Sequence, residues 1–132
     1  EDSQISGLLV GENGGEYWDG LVYPGLIQNC YSTCDSGVST ETSGLVGLNN
    51  ILWGDVICCF WDAQASGIVE DASGGMPKTT VEMQTASTFL EAGWDFIDET
   101  ENGTDDIWWI LEGQDYPRLW WEEQPTRLQS SW

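Results

Sequence analysis

Apolar and polar positions alternate over short distances in the first half of the chain, with glycines at the corners. Ser6-Gly7-Leu8-Leu9-Val10-Gly11 recurs as Ser43-Gly44-Leu45-Val46-Gly47, and Asn29-Cys30-Tyr31 is echoed by Cys58-Cys59-Phe60. Glycines bracket the Leu-Val runs, where tight corners are needed. Leu26–Tyr31 and Val56–Phe60 have the length and composition of strands. The copies are offset by 37 positions at the first landmark and by 29 at the second. The first copy therefore carries extra residues, placed within Glu16–Gly25. Repetition at a period of about 20–50 residues marks a repeat architecture. The expected fold is mainly β: a short β-solenoid of about two rungs over residues 1–75. No helical stripe is visible before residue 79.

The pattern changes in residues 76–121. Thr79-Thr80-Val81-Glu82 and Thr88-Phe89-Leu90-Glu91 both fit the S/T-x-x-E capping box. Gly93 sits where a C-terminal cap glycine belongs. Tyr116-Pro117-Arg118-Leu119-Trp120-Trp121 predicts a last edge strand, since Pro is tolerated at an edge or a strand start. On strands, Trp108-Trp109 and Trp120-Trp121 must each split, one indole to the core and one to solvent. This segment is expected to form a Trp-rich C-terminal cap with short helical turns and edge strands. Residues 122–132 form a polar tail, read as a docking arm that presents Leu128 and Trp132.

Composition narrows the function. The chain has 132 residues, enough for one modest core, with 23 acidic against 3 basic residues and a formal charge of −20. Such a surface repels phosphates, which excludes nucleic acid as a partner. No apolar run of 18 residues exists, so membrane insertion as a helix is excluded. The absence of His removes histidine bases, triads and His-ligated metals. High charge favours disorder, but nine Trp carry enough buriable area for a folded domain. Self-repulsion calls for screening by salt or divalent cations. With the chain beginning at Glu1, this points to an extracellular or cell-surface protein whose leader has been removed.

The ordered succession of these motifs resembles a known family. Ser-Gly-Leu-Val-Gly followed by Asn-Cys-Tyr is similar to the GLUG repeat of bacterial surface proteins and adhesins. Phe60-Trp61-Asp62-Ala63-Gln64-Ala65-Ser66-Gly67 resembles the ending of the last such repeat. Thr79 to Met83, Gly93 to Phe96, Ile107-Trp108 and Tyr116 to Leu119 resemble the segment that closes the array. The second copy departs by placing Cys58 where the first has Asn29. The resemblance implies an exported, non-enzymatic β-solenoid.

Candidate sites follow. Paired carboxylates arise by chance among 23 acids, and only Lys78, Arg118 and Arg127 supply positive charge, so no catalytic site and no enzyme is expected. Asp98, Glu99, Glu101, Asp105 and Asp106 offer hard oxygen ligands, which makes calcium the one candidate cofactor. Asn102-Gly103-Thr104 is a formal glycosylation sequon. Cys30, Cys34, Cys58 and Cys59 are disulfide candidates, with Cys30 and Cys59 at matching repeat positions. Trp18, Trp53 and Trp61 are candidates for stacking on glycans. Leu8, Leu9 and Val10, with Leu128 and Trp132, are candidates for self-association through an uncovered first rung. The expected role is an extracellular structural or adhesive module that self-associates head to tail into a fibre. The expected partners are further copies or neighbouring repeats of a longer chain. The alternatives are a carbohydrate-binding module and the C-terminal piece of a giant adhesin.

Overall fold

A computed structural model of the chain describes residues 6–7, 10–33, 42–49, 54–69 and 74–122. The chain is mainly β, built of short strands in small sheets. It divides into two compact units, Glu1–Met83 and Gln84–Trp132.

In the first unit the two sequence copies pair strand for strand. Strands β1 (Ser6–Gly7), β2 (Val10–Asn13), β5 (Gly25–Gln28) and β6 (Tyr31–Ser32) belong to the first copy. They lie parallel to β7 (Thr42–Ser43), β8 (Val46–Asn49), β9 (Gly54–Ile57) and β10 (Phe60–Asp62) of the second. Val10 faces Val46 and Asn13 faces Asn49, a shift of 36. Gly25 faces Gly54 and Tyr31 faces Phe60, a shift of 29. The difference is absorbed by a hairpin of β3 (Glu16–Trp18) and β4 (Leu21–Tyr23), inside the expected insertion. The opening register is one residue off the sequence expectation: Ser6 faces Thr42, and Gly7 faces Ser43.

Each copy turns at equivalent points. Asn13 Nδ2 donates to Asn49 Oδ1 (2.8 Å) and to the Asp55 carbonyl (3.1 Å), tying the copies together. A side chain at Gly25 would strike Asn13 Oδ1, and one at Gly54 would strike Asn49 Oδ1, so the two asparagines occupy the space the glycines leave. Further on, Asn29 (φ 54°) and Cys58 (φ 53°) both adopt the left-handed conformation between matched strands. The runs read as single strands, Leu26–Tyr31 and Val56–Phe60, are thus each broken by a corner. Asn tolerates that conformation and Cys does not share its ease. Replacing Cys58 by Asn is therefore expected to stabilise the unit by up to about 1 kcal/mol, read as a higher urea midpoint.

Leu45, Val46, Cys59 and Trp61 form the buried cluster, with Ile27, Cys30, Val56 and Ala63 packed against it. Ile57 is 42% exposed because Val56 takes the inward position of β9. Strand β10 continues onto β11 (Met76–Lys78), again in parallel. Between them lies α1 (Ala63–Ser66), a helix that sequence periodicity did not predict. Its cap is the fully buried Asp62: Oδ1 accepts the N–H groups of Gln64 (3.0 Å) and Ala65 (2.9 Å), and Oδ2 accepts the Thr80 hydroxyl (2.8 Å).

Helix α2 (Thr80–Met83) opens on the expected capping box: Thr79 N–H donates to Glu82 Oε1 (3.1 Å), and Glu82 N–H donates to Thr79 Oγ1 (3.2 Å). The Thr79 N–H, aided by the Lys78 ammonium, holds the Glu82 carboxyl below its ordinary range. A lowered folded-state pKa lends stability above the unfolded value, about 4.3, and loses it as pH falls through the folded value. The thermal deficit of Glu82→Ala is thus expected at neutral pH and should shrink as the pH falls below the ordinary carboxylate range.

In the second unit, α3 (Ala86–Leu90) starts at Thr85, whose side chain makes no cap bond. Thr88 lies inside the helix, so the second expected capping box does not form. Glu112 substitutes from a distance, accepting the Ala86 N–H (2.7 Å). The helix ends as expected at Gly93 (φ 88°). Gly93 N–H reaches the Leu90 carbonyl (3.0 Å) and Trp94 N–H the Phe89 carbonyl (3.1 Å), with the Phe89 and Trp94 rings 4.8 Å apart. This is the double-bonded αL stop with its hydrophobic contact. β12 (Trp108–Trp109) pairs antiparallel with β13 (Arg118–Leu119). The split of adjacent indoles is not observed. Trp108 stacks on Trp94 (4.6 Å), Trp109 is buried, and Trp120 and Trp121 are both exposed. Pro117 is buried immediately before β13.

Candidate functional site

Three features of the described residues bear chemistry: the inserted hairpin, the thiols at the second corner and the acidic loop.

The hairpin closes on Asp19 (φ 50°) and Gly20 (φ 81°), the two left-handed residues that a twisted two-residue turn requires. Trp18 faces Leu21 and Glu16 faces Tyr23, so Trp18, Leu21 and Tyr23 share one face with Glu16. All are exposed, Trp18 to 68%, and Tyr17 stands exposed on the other face. Sequence reading singled out Trp18 and missed its companions. The signal was Asp-Gly between apolar runs.

The other glycan candidates fare differently. Trp61 is fully buried, and its Nε1 donates to the Ile68 carbonyl (2.7 Å), so it is a core residue and no stacking platform. It follows Phe60 in a strand buried on both faces, at the end of the apolar run Val56–Phe60. Trp53 lies outside the described residues.

Among the described residues Cys30, Cys58 and Cys59 are in the thiol form, and Cys34 lies outside the described residues. Cys30 and Cys59 sit one beside the other across the copies, between the matched pairs Gln28/Ile57 and Tyr31/Phe60. Phe60 N–H donates to the Cys30 carbonyl (3.0 Å). The Cys59 thiol donates to the Ile57 (3.2 Å) and Ile27 (3.5 Å) carbonyls and the Cys30 thiol to the Gln28 carbonyl (3.2 Å), and the interaction between the two cysteine side chains brings the Cys30 thiol down to about 7 and pushes Cys59 well up. Cys59 is buried and Cys30 half-buried.

In the acidic loop the carboxylates bind backbone. Asp95, buried, accepts the N–H groups of Asp105 (2.9 Å) and Asp106 (3.3 Å). Glu99 accepts those of Phe96 (3.2 Å) and Asn102 (3.0 Å). Asp98, Glu101, Asp105 and Asp106 are exposed. Among the described residues no three carboxylates or thiols converge as a metal-holding group. Asn102 Nδ2, the atom a glycan would occupy, donates to the Leu90 (2.8 Å) and Trp94 (3.2 Å) carbonyls.

Of the self-association candidates, Val10 lies in β2, and Leu8, Leu9, Leu128 and Trp132 lie outside the described residues. Among the described residues β1, β2 and β5 have one strand partner each, in the second copy. Asn29 N–H donates to the Ile57 carbonyl (3.2 Å), so by ladder alternation Leu26 and Gln28 turn their backbone groups away from β9.

No helix of the described residues is long and apolar enough to cross a membrane. No protein-family model matches the chain, and no solved structure matches it. Among curated proteins it is 30% identical over 102 residues to one from Evansella cellulosilytica named "Putative Gly-rich membrane protein". The match takes in 74% of this chain and 11% of that protein, so the chain spans about a ninth of the relative it resembles.

Proposed function

We propose that the chain is a non-enzymatic structural module of a cell-surface protein, a short β-solenoid of GLUG-like rungs that self-associates by adding strands to its first rung. The observation that carries this reading is the parallel, strand-for-strand pairing of the two copies, with β1, β2 and β5 partnered on one side among the described residues. A parallel ladder of this kind extends by adding like segments, because each new strand meets the same backbone spacing as the last. Head-to-tail addition is heterologous and runs on into a filament. Cations such as calcium would screen the repulsion between chains of charge −20. The similarity to a small part of a much longer protein supports a module that sits within a larger chain.

The test is light scattering and electron microscopy of the chain with and without calcium, beside Leu26→Pro. Proline at position 26 blocks the outward edge of β5 and leaves its bonds to β9 in place. The chain should grow with concentration, and the variant should stay small with an unchanged thermal midpoint. A chain that remains monomeric at every concentration and salt overturns the reading.

A second reading rests on the hairpin: Trp18, Leu21 and Tyr23 make an exposed apolar strip on an insertion the second copy lacks. Binding to a glycan array that Trp18→Ala abolishes, in a monomeric chain, would favour a carbohydrate-binding module.

A further inference from the structure

We propose that Cys30 and Cys59 form an oxidisable dithiol that reacts with a low-molecular-weight disulfide, such as oxidised glutathione, and closes into a covalent staple between the two copies. The geometry is supplied by the ladder. Matched residues of neighbouring strands lie about 4.8 Å apart, within the roughly 4.4–6.8 Å between Cα atoms that a disulfide spans. Cys30 and Cys59 occupy such a matched position, flanked on both sides by paired residues, and their side chains interact.

The two thiols differ in the way an exchange reaction uses. Cys30 is half-buried and accessible, and the neighbouring Cys59 side chain favours its thiolate, with a pKa of about 7. Cys59 is buried against the Ile57 (3.2 Å) and Ile27 (3.5 Å) carbonyls and stays protonated. Cys30 is therefore the attacking sulfur and Cys59 the resolving one. Cys30 thiolate attacks one sulfur of the small disulfide, forming a mixed disulfide and releasing one small thiolate. That thiolate takes the Cys59 proton. Cys59 then attacks Cys30 Sγ, the Cys30–Cys59 bond forms and the second small thiolate leaves, to be protonated by solvent. The dithiol loses two electrons and two protons, and the small disulfide becomes two thiols.

The experiment treats the full folded chain with oxidised glutathione and follows free thiols, intact mass and unreduced peptide maps. Free thiols should fall from the four of the sequence to two, with a mass loss of two hydrogens and a peptide joining Cys30 to Cys59. Cys59→Ser should stop at a glutathione adduct on Cys30, and Cys58→Ser should close as the parent does. Dithiothreitol should restore all four thiols. A bond from Cys30 to Cys34 or Cys58, an adduct on Cys59 in place of Cys30, or four thiols persisting after treatment overturns the proposal. The parent's peptide map decides the matter even if a variant fails to fold.

Discussion

Trp61→Ala is expected to cost about 3–5 kcal/mol and to lower the melting temperature by more than about 10 °C. The indole is completely buried with Leu45, Val46 and Cys59, and the cavity it leaves is walled by β-ladder that cannot collapse into it. The same truncation removes the bond from Nε1 to the Ile68 carbonyl, so Trp61→Phe should fall between the parent and the alanine variant. An independent approach comes from the other side of the ring. A Cβ on Gly44 would collide with the Trp61 indole, and Gly75 also lies against it. Gly44→Ala should thus destabilise by overpacking, by about 1–3 kcal/mol. Urea unfolding followed by circular dichroism measures all three. A small loss for Trp61→Ala would mean that the indole is not in the core.

Trp94→Ala is expected to cost about the same, 3–5 kcal/mol, in the second unit. Its ring is fully buried between Phe89 (4.8 Å) and Trp108 (4.6 Å), so truncation removes both aromatic contacts along with the buried area. Trp120 and Trp121 give the control. They meet edge to face at 5.6 Å but are both exposed, and alanine at either should cost less than about 1 kcal/mol. Near-equal losses at Trp94 and Trp120 would contradict the packing described here.

The repeat was the most legible part of the chain. Matching glycines and the Asn-Cys-Tyr echo placed the insertion correctly because a parallel ladder requires equivalent residues to meet. The one-residue error at Ser6 arose from aligning the start of a motif whose copies differ in length; the Leu-Val-Gly end carries the true register. The capping box at Thr79 was legible because both partners are local. That at Thr88 was not formed, because helix α3 starts earlier and is capped by Glu112, 26 positions away from Ala86. Helix α1 escaped notice since four residues carry no periodicity; the signal was Asp62 at its start and Gly67 at its end. Burial was hardest to read. Trp61 directly follows the apolar run Val56–Phe60 and Trp18 stands between Glu16-Tyr17 and Asp19-Gly20, and the pairing of β10 on both edges holds Trp61 in the core.

The hairpin between Asn13 and Gly25 has a consequence for how such a chain can change. The second copy covers the equivalent span, Asn49 to Gly54, with four intervening residues, and the ladder resumes in step on both sides. What is inserted there is decoupled from the stacking that follows. Loop length and composition at that one position are free to drift under selection, so a lineage could exchange its outward-facing aromatics wholesale, like a cartridge, without renegotiating a single contact of the scaffold.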